Sequence, residues 1–249
     1  MKLASRVVAD NAEAISIAAT GTVEAVAKAW REKREAHIVL TGGRTGLAFV
    51  QALDPLLAQL DHQFSTDSSQ SSDAASSHHI VNIWFSDERF VEFDSADRND
   101  TTLKAAFEES HEFLAFFRSL PPSEATIHES ADGYDSVIKS EIGTHAFDAV
   151  VLSMGEDGHV ASCFPGQNEI LNSSHDAVEV LNSPKPPQER ITITVARLGM
   201  SNLTYIFALG EGKSSALRDT LAGARSLPIT LLRQNSPTGE IHLLTDIHE

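Results

Sequence analysis

The chain has 249 residues, 41% of them hydrophobic, a length and composition that suit one large α/β domain with a substantial core. Nineteen Lys and Arg stand against 35 Asp and Glu, a net charge of −16 with histidines neutral, which argues against nucleic acid or an anionic membrane as partner, because both need a basic footprint. The single cysteine, Cys163, excludes an intramolecular disulfide, apolar runs such as AVVLSM are too short to span a bilayer, and MKLASRVVADNAEA turns polar too early for a secretory signal, so a cytoplasmic protein is expected.

Residues 10 to 35 carry Ala, Ile and Val at helical spacing and end in the charged REKRE, which predicts a long amphipathic helix. HIVLT (37–41) is a short buried strand, followed by TGGRTG (41–46) and a helix to about Leu60. STDSSQSSDAASSHH (65–79) has almost nothing to bury and is read as a flexible surface loop, with His78 and His79 at a solvated end rather than as metal ligands. VNIWFS (81–86) and FDAVVLSMG (147–155) are buried strands, SPKPPQ (183–188) is a stiff turn, and RITITV (190–195) alternates as a half-exposed strand. LTYIFALG (203–210) is a further buried strand, a helix runs from Lys213 to about Leu221, and IHLLTD (241–246) is the last strand. Buried strands alternating with helices predict an α/β fold whose mostly parallel sheet is covered on both faces. No internal repeat or inter-domain linker is visible, so residues 1–249 are read as one domain.

In such sheets ligands bind beyond the carboxyl ends of the strands. Four polar loops fall there: TGGRTG, SDERF (86–90), GEDGHVAS (155–162) and GEGK (210–213), which brings Lys213 to the same edge. In the first, Gly42 and Gly43 allow close backbone approach, the helix start at Thr45 offers free N–H groups to an anion, and Arg44 adds a fork of donors. An ordinary tight turn would look the same; neither dinucleotide nor Walker spacing is present. In SDERF, extended geometry sends Asp87 and Arg89 to one side and Glu88 to the other, with Arg98 and Asn99 candidates for the same rim; a surface charge cluster is the plain alternative, and Arg89 either binds a ligand or pairs with Asp87. In GEDGHVAS, His159 is suited to take a proton from water and return it. Asp157 either orients the imidazole or holds a substrate hydroxyl, and Gly158 shapes the turn. Cys163 reads as a small packing residue, since no base stands in register beside it.

GGRTG, SDERF followed by RND, FDAVVLSMGEDGHVASCFPG, SPKPPQERITIT and GEGKSSALRDTLAG before LPIT resemble the successive blocks of the 6-phosphogluconolactonase family, over about residues 10 to 245. The GGRTG form is similar to the actinobacterial branch, where other members carry GGSTP. The resemblance implies a modified Rossmann-like α/β fold shared with glucosamine-6-phosphate deaminases, and the second step of the oxidative pentose phosphate pathway. It implies His159 as the catalytic histidine, and Arg44, Arg89, Lys213 and Arg190 as phosphate or substrate contacts. The implied partner is a small sugar phosphate lactone, with no cofactor and no metal; monomer or homodimer is left open. Cys163 departs from the leucine of many members, and the Ser-rich 65–79 segment looks like an insertion. Deaminases look similar around DE and DGH but carry Asn-Glu shortly after DGH; here Phe164 falls where that glutamate would stand. A non-catalytic sugar-phosphate sensor would need a DNA-binding module, for which this acidic chain has no room.

Overall fold

The computed structural model describes residues 3–32, 34–68, 79–107, 114–118, 126–224, 226–235 and 239–248. The first half of the chain forms β1 (Leu3–Val7), α1 (Asn11–Arg31), β2 (Ala36–Leu40), α2 (Gly43–Ser68), β3 (Ile80–Phe85), β4 (Asp87–Arg89), α3 (Asn99–Lys104) and β5 (Leu114–Arg118). The second half forms α4 (Ile127–Glu141), β6 (Ala149–Ser153), α5 (Asn168–Leu171), β7 (Ala177–Val180), β8 (Arg190–Ile193) and α6 (Val195–Gly199). It closes with β9 (Leu203–Ala208), α7 (Ser214–Leu221), α8 (Pro228–Gln234) and β10 (Glu240–Thr245).

Seven strands pair in parallel in the order β1-β10-β9-β6-β2-β3-β5. From β2 the sheet grows outward through β3 and β5, then the chain returns to lay β6, β9 and β10 on the other side. The order reverses between β2 and β6, so the loops leaving these strands diverge and open a crevice at the carboxyl edge. Successive strand residues face opposite sides, and the core divides accordingly. Ile38, Leu40, Phe85, Val151 and Phe207 pack with Ala18, Val26, Phe49 and Leu53 of α1 and α2. Val39, Trp84, Val150, Leu152 and Ile206 pack with Ile138, Leu217, Ile229 and Leu232 of α4, α7 and α8. This is the expected modified Rossmann-like architecture.

Local sequence explains how α1 starts and seats on the sheet. Asp10 caps α1 by accepting the Glu13 N–H at 2.9 Å, and Lys28 and Arg31 in the last turn complement the helix dipole. The inner face of α1 is small, and a β-carbon at Gly21 would lie 2.0 Å from the Tyr205 hydroxyl, so glycine lets the helix seat on the sheet. Past the expected end near Leu60, α2 continues to Ser68 and absorbs the start of the Ser-rich segment, of which 69–78, including His78, lie outside the described residues. His79 is not at a solvated end. Its Nδ1 lies 2.7 Å from Asp61 Oδ1 and its ring stacks on Trp30 at 4.6 Å, because the flat indole offers more contact than water does.

The strand at RITITV corrects a second expectation. It belongs to a small antiparallel sheet in the order β4-β8-β7, and all four residues of β8 are buried. The alternation is real, with Ile191 and Ile193 facing the core. Arg190 and Thr192 face polar partners instead of solvent: Thr192 Oγ1 accepts the Ser162 N–H at 3.1 Å. Alternation reports two unlike faces, and here the polar face meets protein.

Candidate active site

The loops after β2, β3, β6 and β9 converge on a cavity of about 270 Å³ at the reversal point of the sheet, lined among others by Thr41, Gly42, Gly43, Asp87, Asn99, Glu156 and His159. A larger cavity of about 750 Å³ opens at the amino edge, beside Arg34, Glu35, His37, Arg118 and Glu141. Its arginines are already engaged: Arg34 with Asp148 at 2.7 Å and Arg118 with Glu141 at 2.8 Å. The smaller cavity carries the convergent chemistry.

Within it, His159 is fixed on three sides. The Gly158 N–H donates to Gly155 O at 3.0 Å and the Gly155 N–H to His159 O at 2.8 Å, closing a tight turn whose Gly158 has φ +85°. Nδ1 of His159 is hydrogen-bonded to Asp157 Oδ1. The Phe164 ring packs on the imidazole with centroids 4.6 Å apart. Burial acts to raise the Asp157 carboxyl, but hydrogen bonding and charge attraction from His159 outweigh it and hold the group below its ordinary value. An ionised Asp157 accepts Nδ1–H, which leaves Nε2 of a neutral imidazole with a free lone pair. Asp157 itself does not line the cavity, so of its two suggested roles the geometry matches orientation. Next to this loop, Ala161 sits at φ 53°, a left-handed conformation that alanine rarely adopts, and it lines the cavity.

The DER strand places its three side chains as extended geometry requires. Asp87 and Arg89 both line the cavity, yet they do not pair. Asp87 Oδ2 accepts the Ser162 hydroxyl at 2.6 Å and faces Arg190 Nη1 at 3.6 Å. Arg89 Nη1 donates to Asp97 O at 2.7 Å, and its buried Nε has no partner. Glu88 turns the other way and is buried, accepting the N–H groups of Arg89, Asn99 and Asp100 at 2.7, 2.8 and 2.8 Å. It thereby clips the start of α3 onto β4, and Asn99 reaches the cavity with Nδ2 donating to Asp87 O at 2.9 Å.

Three of the four cavity cations are expected ones, and Arg44 is replaced by Lys185. Among the described residues, Arg89, Lys185, Arg190 and Lys213 line the cavity against the carboxylates Asp87 and Glu156, a local positive excess in a chain of net charge −16. Burial pushes the Lys213 ammonium below its ordinary value, and the nearby Lys185 adds to that. Such a site favours an anion. Arg44 is exposed and, like Thr45, lies outside the lining; Gly42 and Gly43 present backbone there while the first turn of α2 carries Arg44 away from the crevice. Lys185 was missed by sequence reasoning, which saw only the stiffness of SPKPPQ; a lysine fixed between prolines just ahead of a buried strand was the available signal. Cys163 is buried and its thiol is pushed up to about 12 by burial, as suits a packing residue.

The family described as glucosamine-6-phosphate isomerases/6-phosphogluconolactonase matches residues 9–242. The chain belongs to this family. A 6-phosphogluconolactonase of Mycobacterium leprae is 26% identical over 245 residues, covering 92% of this chain and 90% of that protein. A 6-phosphogluconolactonase structure from Shewanella baltica superposes with TM-score 0.78 at 24% identity, over 98% of this chain and 97% of that one. A monomeric glucosamine-6-phosphate deaminase superposes with TM-score 0.68 at 19% identity, over 98% and 97%. Both structural likenesses show the fold alone, and within one fold the activity resides in the site.

Proposed function

We propose that the chain hydrolyses 6-phospho-D-glucono-1,5-lactone to 6-phosphogluconate, the second step of the oxidative pentose phosphate pathway, with His159 activating water. The observation that carries this reading is the pairing of a His159 ring, held at Nδ1 by Asp157, with a cavity ringed by Arg89, Lys185 and Lys213. The phosphate docks on those cations. His159 Nε2 takes a proton as water attacks the lactone carbonyl and a C–O bond forms. The resulting oxyanion needs donors, for which the N–H groups at the start of α2, beside the lining residues Gly42 and Gly43, are the candidates. When the carbonyl re-forms, the ring C–O bond breaks and the imidazolium returns its proton to the departing oxygen. The product acid then ionises.

No step of this sequence requires a metal or cofactor. The similar mycobacterial lactonases and the GGRTG form of the first loop support a place near the actinobacterial branch. The deciding measurement is acid release from 6-phosphogluconolactone with the spontaneous background subtracted. A rate no faster than that background refutes the reading.

A further inference from the structure

Arg190 stands out because it is a cavity-lining cation whose donors are mostly committed to the protein itself. It is 6% exposed. Its Nε donates to Pro187 O at 3.1 Å, and its Nη2 donates to Lys185 O at 3.1 Å and Pro186 O at 3.3 Å. Its Nη1 donates to the Ser162 hydroxyl at 3.4 Å and faces Asp87 Oδ2 at 3.6 Å. A guanidinium has five N–H donors; four of them donate to protein acceptors, and the fifth, on Nη1, faces the Asp87 carboxylate in an ion pair longer than a hydrogen bond. The carbonyls of residues 185–187 need such a partner, since prolines dominate the turn and supply no N–H of their own.

We propose that Arg190 is a positioning residue: it braces the 185–187 turn against Asp87 and Ser162, and so holds the Lys185 ammonium at the rim of the cavity without touching substrate itself. Lys185 is exposed, and among the described residues the turn is otherwise tied by the Ser183 N–H to Gln188 O at 3.0 Å and by the Ser183 hydroxyl with Lys185. The planar fork of arginine spans three carbonyls and a carboxylate at once, which a lysine ammonium cannot.

The role in catalysis rests on the lactonase reading; the bracing does not, so two measurements separate them. Amide hydrogen exchange in Arg190→Gln and Arg190→Lys should show Ser183 and Lys185, whose N–H groups are bonded within the turn, exchanging at least about tenfold faster, with the strands of the parallel sheet unchanged. Unchanged exchange at those two amides overturns the proposal whether or not the protein is a lactonase. In kinetics, Arg190→Gln should raise KM for the phosphorylated lactone about tenfold while kcat stays within about twofold. In a Lys185→Ala background the same change should add less than about twofold, because both substitutions remove one contact. Losses that multiply would make Arg190 a direct ligand and overturn the proposal. Should the substituted proteins fail to fold, wild-type protein titrated with 6-phosphogluconate decides: the Lys185 side-chain resonance should shift and the Arg190 Nε–H should not, and a shift at Arg190 equal to that at Lys185 sinks the idea.

Discussion

The His159 imidazole lies directly on the backbone of Gly155: a β-carbon there would fall 2.1 Å from Cε1 and 2.2 Å from Nδ1. The ring can sit beside Asp157 only because residue 155 has no side chain. Gly155→Ala must therefore displace the imidazole or the turn. Its kcat on 6-phosphogluconolactone should fall toward that of His159→Ala, which is expected to lose about 10²–10⁴-fold as a missing general base. Asp157→Asn should also slow turnover by freeing the tautomer. A folded Gly155→Ala protein with normal kcat would mean that the ring orientation seen here is not the working one.

Phosphate recognition separates the arginines. Arg89, Lys185 and Lys213 line the cavity and Arg44 does not. A charge-assisted contact contributes about 1.5–3 kcal/mol, so Lys185→Ala, Lys213→Ala and Arg89→Ala should each lower kcat/KM on the phosphorylated lactone roughly 10- to 150-fold. On unphosphorylated gluconolactone they should change little, whereas Arg44→Ala should stay within about twofold on both. Equal losses on the two substrates for all three cavity cations would place the phosphate elsewhere.

Glu88 should make stability depend on pH. Burial pushes its carboxyl up to about 7 from the ordinary 4.5, although three backbone N–H groups act to lower it. The folded protein thus holds this proton more tightly than the unfolded chain. The stability from this group is complete below the unfolded value and is lost as pH rises through the folded one. Between about pH 5 and about pH 8, wild type should lose about 2–3 kcal/mol relative to Glu88→Gln, which cannot ionise. Urea melts at several pH values measure the difference, and a constant offset would mean that Glu88 titrates as an ordinary carboxyl.

Phe164 argues against deamination. Its ring packs on His159 at 4.6 Å and it is 3% exposed, so the imidazole has an apolar neighbour where a second acid would have to act. Purified protein given glucosamine 6-phosphate should release no ammonia above a no-enzyme control. Release at a rate comparable with lactone opening would assign the other activity of the family.

Much of the fold was legible because parallel strands buried on both faces leave continuous apolar runs, as in AHIVL, IVNIWF and AVVLS. The loops carrying His159, Asp87, Arg89 and Lys213 were legible for a related reason: each follows such a run, and parallel strands deliver their carboxyl ends to one edge. The short β4 and β7 strands and the partners of β8 were not, since pairs distant in sequence leave no period of their own.

The sequence by itself determined the fold class and the sheet edge at which the loops of the candidate site, that of His159 among them, gather, because hydrophobic periodicity and glycine placement are local properties that the chain writes directly. Only the tertiary structure decided where each cation sits. Arg44 and Arg190 both read as ligands for an anion, yet one is exposed outside the cavity and the other donates to the carbonyls of residues 185–187, while Lys185, read as part of a stiff turn, stands at the rim. A guanidinium binds whichever acceptors surround it, and those of Arg190 come from the proline turn just before it, from Asp87 on the neighbouring strand β4 and from Ser162 of the loop after β6.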